Sequence, residues 1–225
     1  MTQVGPTQFD PISIGEVAKP PFARLPEPAT MFGHRSERLR VLADGHQLRP
    51  YLLFLANICD VQHSIQLELP NAELPTADVT ARARQFKMPP LDRAGFTGDA
   101  ATDATWERLF TMAGDIAMPD DARAALERVR AADPATVAEM IGAVLGNASP
   151  AGAMAEHVFV AAALQVHFAR LAAQLDPKTW VPIGQGVCPA CGVRGKGRKE
   201  LFFRPVPCKR CGAEGHYHIR YLDPQ

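Results

Sequence analysis

The chain has 225 residues, of which 47% are hydrophobic and 21% charged, and its 24 basic and 24 acidic residues leave no formal net charge. This balance is typical of a folded globular protein and excludes a disordered or strongly charged chain. Residues 51–59 and 158–164 are the longest strongly apolar stretches, and both are far shorter than the roughly 20 residues of a membrane-spanning helix. The first ten residues show no basic region followed by an apolar run, so we expect a cytoplasmic protein.

The amino-terminal half predicts an irregular segment followed by helices. Residues 1–29 contain six prolines and no sustained periodicity, which predicts an extended or disordered segment. We expect a helix at residues 32–43 and a weaker one at residues 76–87, after which Met-Pro-Pro-Leu at residues 88–91 must interrupt any helix. Between these two helices, residues 48–68 are at first apolar over most of a helical circumference, which predicts a helix running through the core.

The next part of the chain predicts three short amphipathic helices and one long central helix. The third short helix follows Asp133, a capping residue, and Pro134, which suits the first helical turn, and Gly146 and Asn147 end it. Residues 153–175 are rich in alanines that permit close helix approach, so we expect them to form a second core helix. The first two short helices are indicated by apolar stripes at Trp106, Leu109, Phe110, Ala113 and Ala117, and at Ala122, Ala125, Leu126 and Val129.

Two pairs of cysteines dominate the carboxy-terminal part. The motifs are Cys-Pro-Ala-Cys-Gly at residues 188–192 and Cys-Lys-Arg-Cys-Gly at residues 208–212, and sixteen residues separate the two cysteine pairs. In a reducing cytosol such pairs bind metal more often than they form disulfides. Each motif can form a tight turn that places two thiolates on one ion, which predicts a tetrahedral four-sulfur site. The predicted ligands are Cys188, Cys191, Cys208 and Cys211.

The expected fold is therefore mainly α, with a helical domain at residues 30–177 and a small rubredoxin-like or zinc-ribbon domain at residues 178–225. One metal ion replaces the hydrophobic core that so short a domain cannot build. Zinc and iron both suit four sulfur ligands; we favour zinc on the Irving–Williams order, whereas iron would be redox-active. Four ligands leave no open position for a substrate, and no nucleotide-binding loop, nucleophile elbow or zinc-protease motif is present, so we do not expect an enzyme.

The charge is unevenly distributed between these two parts. Residues 1–177 carry 15 Lys and Arg against 21 Asp and Glu, whereas residues 178–225 carry 9 against 3. A basic tail can bind nucleic acid or an acidic protein surface. It can equally offset the charge of about −2 that four thiolates and one divalent ion carry together.

Three polar residues continue the apolar stripe of the first core helix. Gln62, His63 and Gln66 lie within about 60° of the stripe that contains Leu52 and Cys59. One interpretation is that the helix leaves the core here, with these groups solvated or bonded to the backbone. The other is that the three residues form a partner-binding surface, which we adopt as a hypothesis to test.

Three further residues have ligand-like side chains but an expected structural role. Cys59 lies within an apolar helical run, where a free cysteine usually behaves as a small hydrophobic residue. His157 and His167 lie ten residues apart on the second core helix and differ in direction by about 80°, so they need not meet. We expect both histidines to be hydrogen-bonded core or boundary residues.

Several segments along the chain carry a resemblance to a known family: Glu-Arg-Leu-Arg-Val-Leu-Ala at residues 37–43, Tyr-Leu-Leu-Phe-Leu-Ala at residues 51–56, Gln62 and His63, Pro-Pro-Leu at residues 89–91, residues 161–175, and Cys-Pro-Ala-Cys-Gly at residues 188–192. Together they resemble the formate dehydrogenase accessory protein FdhE. The resemblance extends over residues 20–222 and implies a helical domain joined to rubredoxin-like metal-binding lobes. It also implies a cytoplasmic factor that is not itself the dehydrogenase but supports its assembly through contact with the catalytic subunit. Family members usually carry four Cys-x-x-Cys motifs and this sequence has two, so we expect a shortened member and do not carry over the family's metal pairing.

The leading hypothesis is thus a maturation factor or chaperone that binds a formate dehydrogenase catalytic subunit. Two alternatives come from other classes of protein. A zinc-ribbon module could contact nucleic acid through its basic tail, with Phe202, Phe203 and Tyr217 as stacking groups. A four-sulfur iron centre would instead indicate a small redox protein. We regard nucleic acid as the less favoured partner.

Overall fold

The computed structural model describes residues 23–93, 95–96, 98–183, 187–193, 206–207 and 214–215. The described part is mainly helical, as predicted, and none of its helices is long and apolar enough to cross a lipid bilayer. Its α-helices are α1 (Pro28–Ala43), α2 (Arg49–Ile65), α3 (Ala77–Gln85), α4 (Ala100–Ala113), α5 (Asp120–Arg130), α6 (Pro134–Gly146) and α7 (Met154–Ala173). Short 3-10 turns at Ala151–Ala153 and Pro177–Thr179 flank α7.

Local capping chemistry explains where several helices begin and end. Helix α1 begins at Pro28, four residues earlier than predicted, because proline is well suited to the first helical turn. At α6, the Asp133 carboxylate accepts hydrogen bonds at 2.9 Å from the backbone N–H groups of Ala135 and Thr136. That helix ends at Asn147, whose φ of 56° lies in the left-handed region. The predicted limits of α6 are therefore confirmed.

Helix α7 is the centre of the fold. Fourteen of its twenty residues are buried, so it is in contact with other elements on nearly all sides. Phe159 and Val166 pack in a hydrophobic cluster with residues of α1, α2, α4 and α5. Leu164 and Phe168 belong to a second cluster, which includes residues of α6 and of the carboxy-terminal segment. The prediction of a central alanine-rich helix is confirmed.

Helices α1 and α2 form a hairpin that is joined by polar side chains as well as by apolar contacts. The Ser36 hydroxyl, 1% exposed, donates to the Asp60 carboxylate at 2.5 Å and lies 3.1 Å from the Ala56 carbonyl oxygen. Arg40 pairs with the same carboxylate at 2.5 Å. Although burial raises the pKa of Asp60, the hydrogen bonds from Arg40 and Ser36 lower it below its ordinary value. Asp60 therefore stays ionised at the helix interface.

The described residues after α7 share the core of the helical body. Trp180, Cys188 and Val193 are buried in the same cluster as α7 residues Leu164 and Phe168. The boundary predicted at residue 178 thus does not separate two hydrophobic cores in the described region. The rest of the predicted second domain, including the apolar pieces at residues 201–203 and 217–221, lies outside the described residues.

Three two-residue strands form a small antiparallel sheet. They are β1 (Ala23–Arg24), β2 (Val206–Pro207) and β3 (Glu214–Gly215), in the order β1-β3-β2. The register pairs Ala23 with Gly215 and Val206 with Gly215. Residues 1–22, most of the segment predicted to be extended or disordered, lie outside the described residues. The last residues of that segment instead pair with the tail and begin α1.

Candidate metal centre

The first cysteine motif folds as a tight turn. The Gly192 N–H donates to the Cys188 carbonyl at 2.8 Å, and the Cys188 N–H donates to the Val193 carbonyl at 2.9 Å. Gly192 has a φ of +68°, a conformation that is strained for residues with a side chain. The predicted turn, with a glycine of positive φ after its second cysteine, is therefore confirmed for this motif.

Both cysteines of this turn lie inside the protein. Cys188 is 0% and Cys191 1% exposed, and Ala190 between them is also fully buried. Thiolate sulfur suits a soft or borderline ion such as zinc or iron, and burial keeps solvent away from these two sulfur atoms. A substrate in solution has no access to these two sulfur atoms.

The turn docks on the segment that follows α3. The Leu91 N–H donates to the Ala190 carbonyl at 3.1 Å, and Leu91 is buried in the same cluster as Cys188. A Cβ placed on Gly192 would lie 3.0 Å from Pro89 Cγ, so the glycine also permits the close approach of the two segments. The Pro-Pro-Leu segment, predicted only to interrupt a helix, thus forms the surface against which the cysteine turn packs.

The second cysteine motif lies outside the described residues, but the chain on either side of it does not. Strands β2 and β3 pair in antiparallel register, Val206 with Gly215 and Pro207 with Glu214. The segment that joins these strands contains Cys208 and Cys211. Among the described residues, no group of three or more His, Cys, Asp or Glu side chains could hold a metal ion. The described part contains two of the four predicted ligands, and the four-cysteine site stays a prediction.

The structure corrects the expected position of the polar patch on α2. Gln62 and Gln66 are each 1% exposed, because the start of α1 and the middle of α7 cover this end of the helix. The Gln62 side-chain N–H donates to the Ala162 carbonyl at 2.9 Å, and that of Gln66 donates to the Pro28 carbonyl. Neither side chain can touch a partner in this arrangement. The other interpretation, in which α2 leaves the core at this point, is also wrong, because both glutamines are buried. Its expectation that these side chains bond to the backbone is confirmed.

His63, the third member of the patch, is half-buried. A Cβ on Gly33 would lie 3.6 Å from the His63 ring, so α1 passes close to the imidazole. Its Nδ1 atom is buried and has no hydrogen-bond partner in the structure. Of the three predicted partner-binding residues, His63 alone keeps exposed surface in this structure.

The remaining residues with ligand-like side chains have the structural roles expected of them. Cys59 is 4% exposed, and burial raises the pKa of its thiol to about 11, so it stays protonated and unreactive. His157 Nδ1 lies 2.6 Å from the Ala153 carbonyl. His167 is 2% exposed beside Thr102, and burial lowers its pKa although the nearby Asp99 carboxylate raises it. Both histidines are core residues, as predicted.

One buried charge had no signal in the sequence. Arg170, in the last turn of α7, is 8% exposed and donates to the carbonyls of Leu69 at 2.6 Å and Pro70 at 2.7 Å. Burial lowers the pKa of this guanidinium. An arginine near a helix end usually faces solvent. This one instead ties the α2–α3 connection to α7, a contact that depends on long-range packing and leaves no local pattern.

Replacing Gln62 by alanine tests the corrected assignment. The change leaves the Ala162 carbonyl and the Gln165 side chain without this donor inside the protein, which should lower the free energy of unfolding by about 1–3 kcal/mol. Gln47→Ala, at an exposed position in the α1–α2 turn, is the matched control and should change it by less than about 0.5 kcal/mol. Urea unfolding followed by circular dichroism measures both. Equal stability of the two variants would contradict the burial of Gln62.

Replacing Gly192 by alanine tests the docked turn. The added methyl group meets Pro89 and demands a positive φ, so we expect a loss of about 1–2 kcal/mol in unfolding free energy. Gly142→Ala is the control, since nothing lies within 4 Å of its added Cβ in α6, and it should be neutral or stabilising. Thermal melting of both proteins gives the comparison. A Gly192→Ala protein as stable as the wild type would show that the turn is not held as described.

The chain is similar to proteins of one known family over most of its length. Residues 20–185, from before α1 to just before Cys188, match the family described as FdhE, N-terminal. A protein FdhE homolog from Rhizobium meliloti is 44% identical over 212 residues, which are 94% of this chain and 67% of that protein. A protein FdhE homolog from Edwardsiella ictaluri is 30% identical over 85% of this chain and 64% of its own length.

The solved structures give the same assignment. The crystal structure of the FdhE protein from Pseudomonas aeruginosa matches with a TM-score of 0.74 at 27% identity, covering 88% of this chain and 70% of that one. This chain spans about two thirds of the length of the relatives it matches. Because the match includes almost the whole described helical body and the sequence identity runs through it, this chain belongs to the FdhE family.

Proposed function

We propose that this chain is an accessory protein that binds a catalytic subunit of formate dehydrogenase and supports assembly of the active enzyme. The observation that carries the proposal is the 44% identity to an FdhE homolog over 94% of the chain. Since the chain spans about two thirds of its relatives, the role is proposed for the helical body and the cysteine-containing tail that it contains. We propose that it acts by protein contact in the cytoplasm and not by catalysis.

The chemistry of the cysteines supports a role in binding rather than in turnover. Cys188 and Cys191 are buried, and Cys59 is a protonated core thiol with a raised pKa. A catalytic thiol needs a lowered pKa and an exposed sulfur atom, and Cys59 has neither property. The two buried histidines are likewise core residues: His167 contacts Thr102 of α4, and His157 contacts the Ala153 carbonyl in the 3-10 turn before α7.

We further propose that one metal ion is held by Cys188, Cys191, Cys208 and Cys211. The described turn fits such an ion, because its two sulfur ligands are close in sequence, buried, and free of competing solvent. When bound, the ion would cross-link the turn on the helical body to the segment between β2 and β3. Zinc suits a purely structural cross-link of this kind; iron is the alternative, and it would add a one-electron redox function.

Such an ion would join the tail to the main hydrophobic core. The Cys188 turn already packs with Leu91 and Phe168, so the metal's contribution would stabilise an element that the helical body holds in place.

Metal analysis tests the metal proposal. Protein purified under reducing conditions without chelator should contain one zinc ion per chain, measured by elemental mass spectrometry. Cys188→Ser should lose most of the metal, because three thiolates bind far more weakly than four. Cys59→Ala, which removes a cysteine from α2, is the control and should retain it. Iron in place of zinc would show visible thiolate charge-transfer absorption and favour the redox alternative, whereas no metal at all would overturn the site.

Affinity purification tests the accessory role. Tagged protein expressed at native level in its host should copurify with a formate dehydrogenase catalytic subunit, identified by peptide mass spectrometry, and its deletion should lower formate dehydrogenase activity in extracts. A tagged cytoplasmic protein of similar size serves as the control for background binding. Normal dehydrogenase activity in the deletion strain, with no subunit recovered, would contradict the proposal.

A further inference from the structure

Helix α3 is the most exposed helix in the described part of the chain. Ala83 alone among its nine residues is buried, and seven of the others are exposed. A helix of this length is marginal in water without packing. At its amino end, the Thr76 hydroxyl accepts a hydrogen bond from the Val79 N–H as a side-chain cap. Its structural contribution to the core is therefore small, and most of its surface is available to another molecule.

One face of α3 forms a wall of a groove. The groove has a volume of about 720 Å³ and lies between α3 and the chain that follows the 3-10 turn after α7. The lining residues on α3 recur with helical spacing, so they share one face of the helix. Most of the lining surface is apolar. The lining residues are Ala77, Thr80, Ala81, Arg84, Gln85, Thr179 and Val181.

The groove has one positively charged residue in its lining, and a second lies next to a lining residue in the chain. Arg84 lines it on the α3 wall, and Lys178 directly precedes Thr179 on the other wall. Both side chains are exposed, and neither makes an ion pair with a carboxylate among the described residues. A mostly apolar lining with an exposed arginine that makes no ion pair among the described residues is complementary to apolar side chains that are followed or preceded by a carboxylate.

We propose that this groove binds a segment of a partner protein in which apolar side chains adjoin acidic ones. The proposal rests on the accessory role inferred above and assigns the contact with the catalytic subunit to α3 and residues 179–181. A peptide is favoured over nucleic acid because the lining contains no aromatic stacking surface and a single guanidinium, whereas single-stranded nucleic acid binds through stacking platforms and several cations.

The position of the groove relates it to the candidate metal centre. From Gln85 the α3 wall continues to Leu91, whose N–H donates to the Ala190 carbonyl. The opposite wall at Val181 continues along the chain to the Cys188 turn. Both walls are thus attached to the two segments that pack around the first pair of cysteines. A partner in the groove contacts the part of the body on which the tail is anchored.

Two charge reversals on α3 form the test. Arg84→Glu changes the groove, whereas Arg82→Glu makes the same change two residues away, about 160° around the helix and outside the groove lining. The probe is the purified formate dehydrogenase catalytic subunit, and its Kd is measured by calorimetry for metal-loaded wild type and both variants. We expect Arg84→Glu to weaken binding about tenfold or more, and Arg82→Glu to change it less than about threefold.

A third variant keeps the test independent of charge. Ala81→Trp fills the groove with a large side chain at an exposed position, and it should weaken binding in the same way. Thermal melting checks that all variants are folded, which we expect because Arg84 and Ala81 are exposed and make no side-chain hydrogen bond in the described structure.

The outcomes separate this proposal from the accessory role. If the wild type does not bind the subunit, the accessory role itself fails, and the assigned occupant fails with it. If the wild type binds and both Arg84→Glu and Ala81→Trp bind equally well, the groove proposal alone is overturned. A twenty-nucleotide single strand is the second probe: salt-sensitive binding that Arg84→Glu abolishes, with subunit binding unchanged, would make this a nucleic-acid site and also overturn it.

Discussion

Burial of α7 on nearly all sides is the constraint from which the rest of the structure follows. Because one side packs with the cluster of α1, α2, α4 and α5 and the other with α6 and the carboxy-terminal segment, small residues are required where neighbouring helices approach closely. Ala163, Ala169 and Ala172 are each at most 2% exposed, and larger side chains there would separate the packed helices. Polar residues on this helix are tolerated only with partners, and Arg170 bonds to the carbonyls of the α2–α3 connection.

The helices could be predicted because their signals are local. Apolar residues recur with helical spacing, and Asp133, Pro134 and Asn147 mark the limits of α6 within one sequence window. What failed was the environment of the polar end of α2. The periodicity places Gln62 and Gln66 on the apolar stripe, but only the long-range approach of α1 and of Ala162 decides that they are buried and bonded. These two contacts join residues that are 100 and 38 positions apart, and no local pattern encodes them.

The cysteine turn shows the same division between local and long-range information. The spacing of Cys188 and Cys191 and the glycine that follows predicted the shape of the turn. The docking of that turn on Pro89 and Leu91 was not predicted, because it depends on a backbone hydrogen bond between segments that are a hundred residues apart. Composition predicted a separate module at residues 178–225; within the described part of that range, the buried Trp180 and Cys188 belong to the core of the helical body.

The docking of the Cys188 turn on the helical body would connect a bound ion with the surface of that body. If the tail were independently folded, losing the ion would leave the helical body and its surfaces untouched. Here the Cys188 turn packs against the segment that leads out of α3, a helix that buries a single residue of its own. An element held by so few contacts responds to small changes in its neighbours, since little packing energy opposes its movement. The state of the cysteine site would therefore bias the α3 surface more than it biases the well-packed α7.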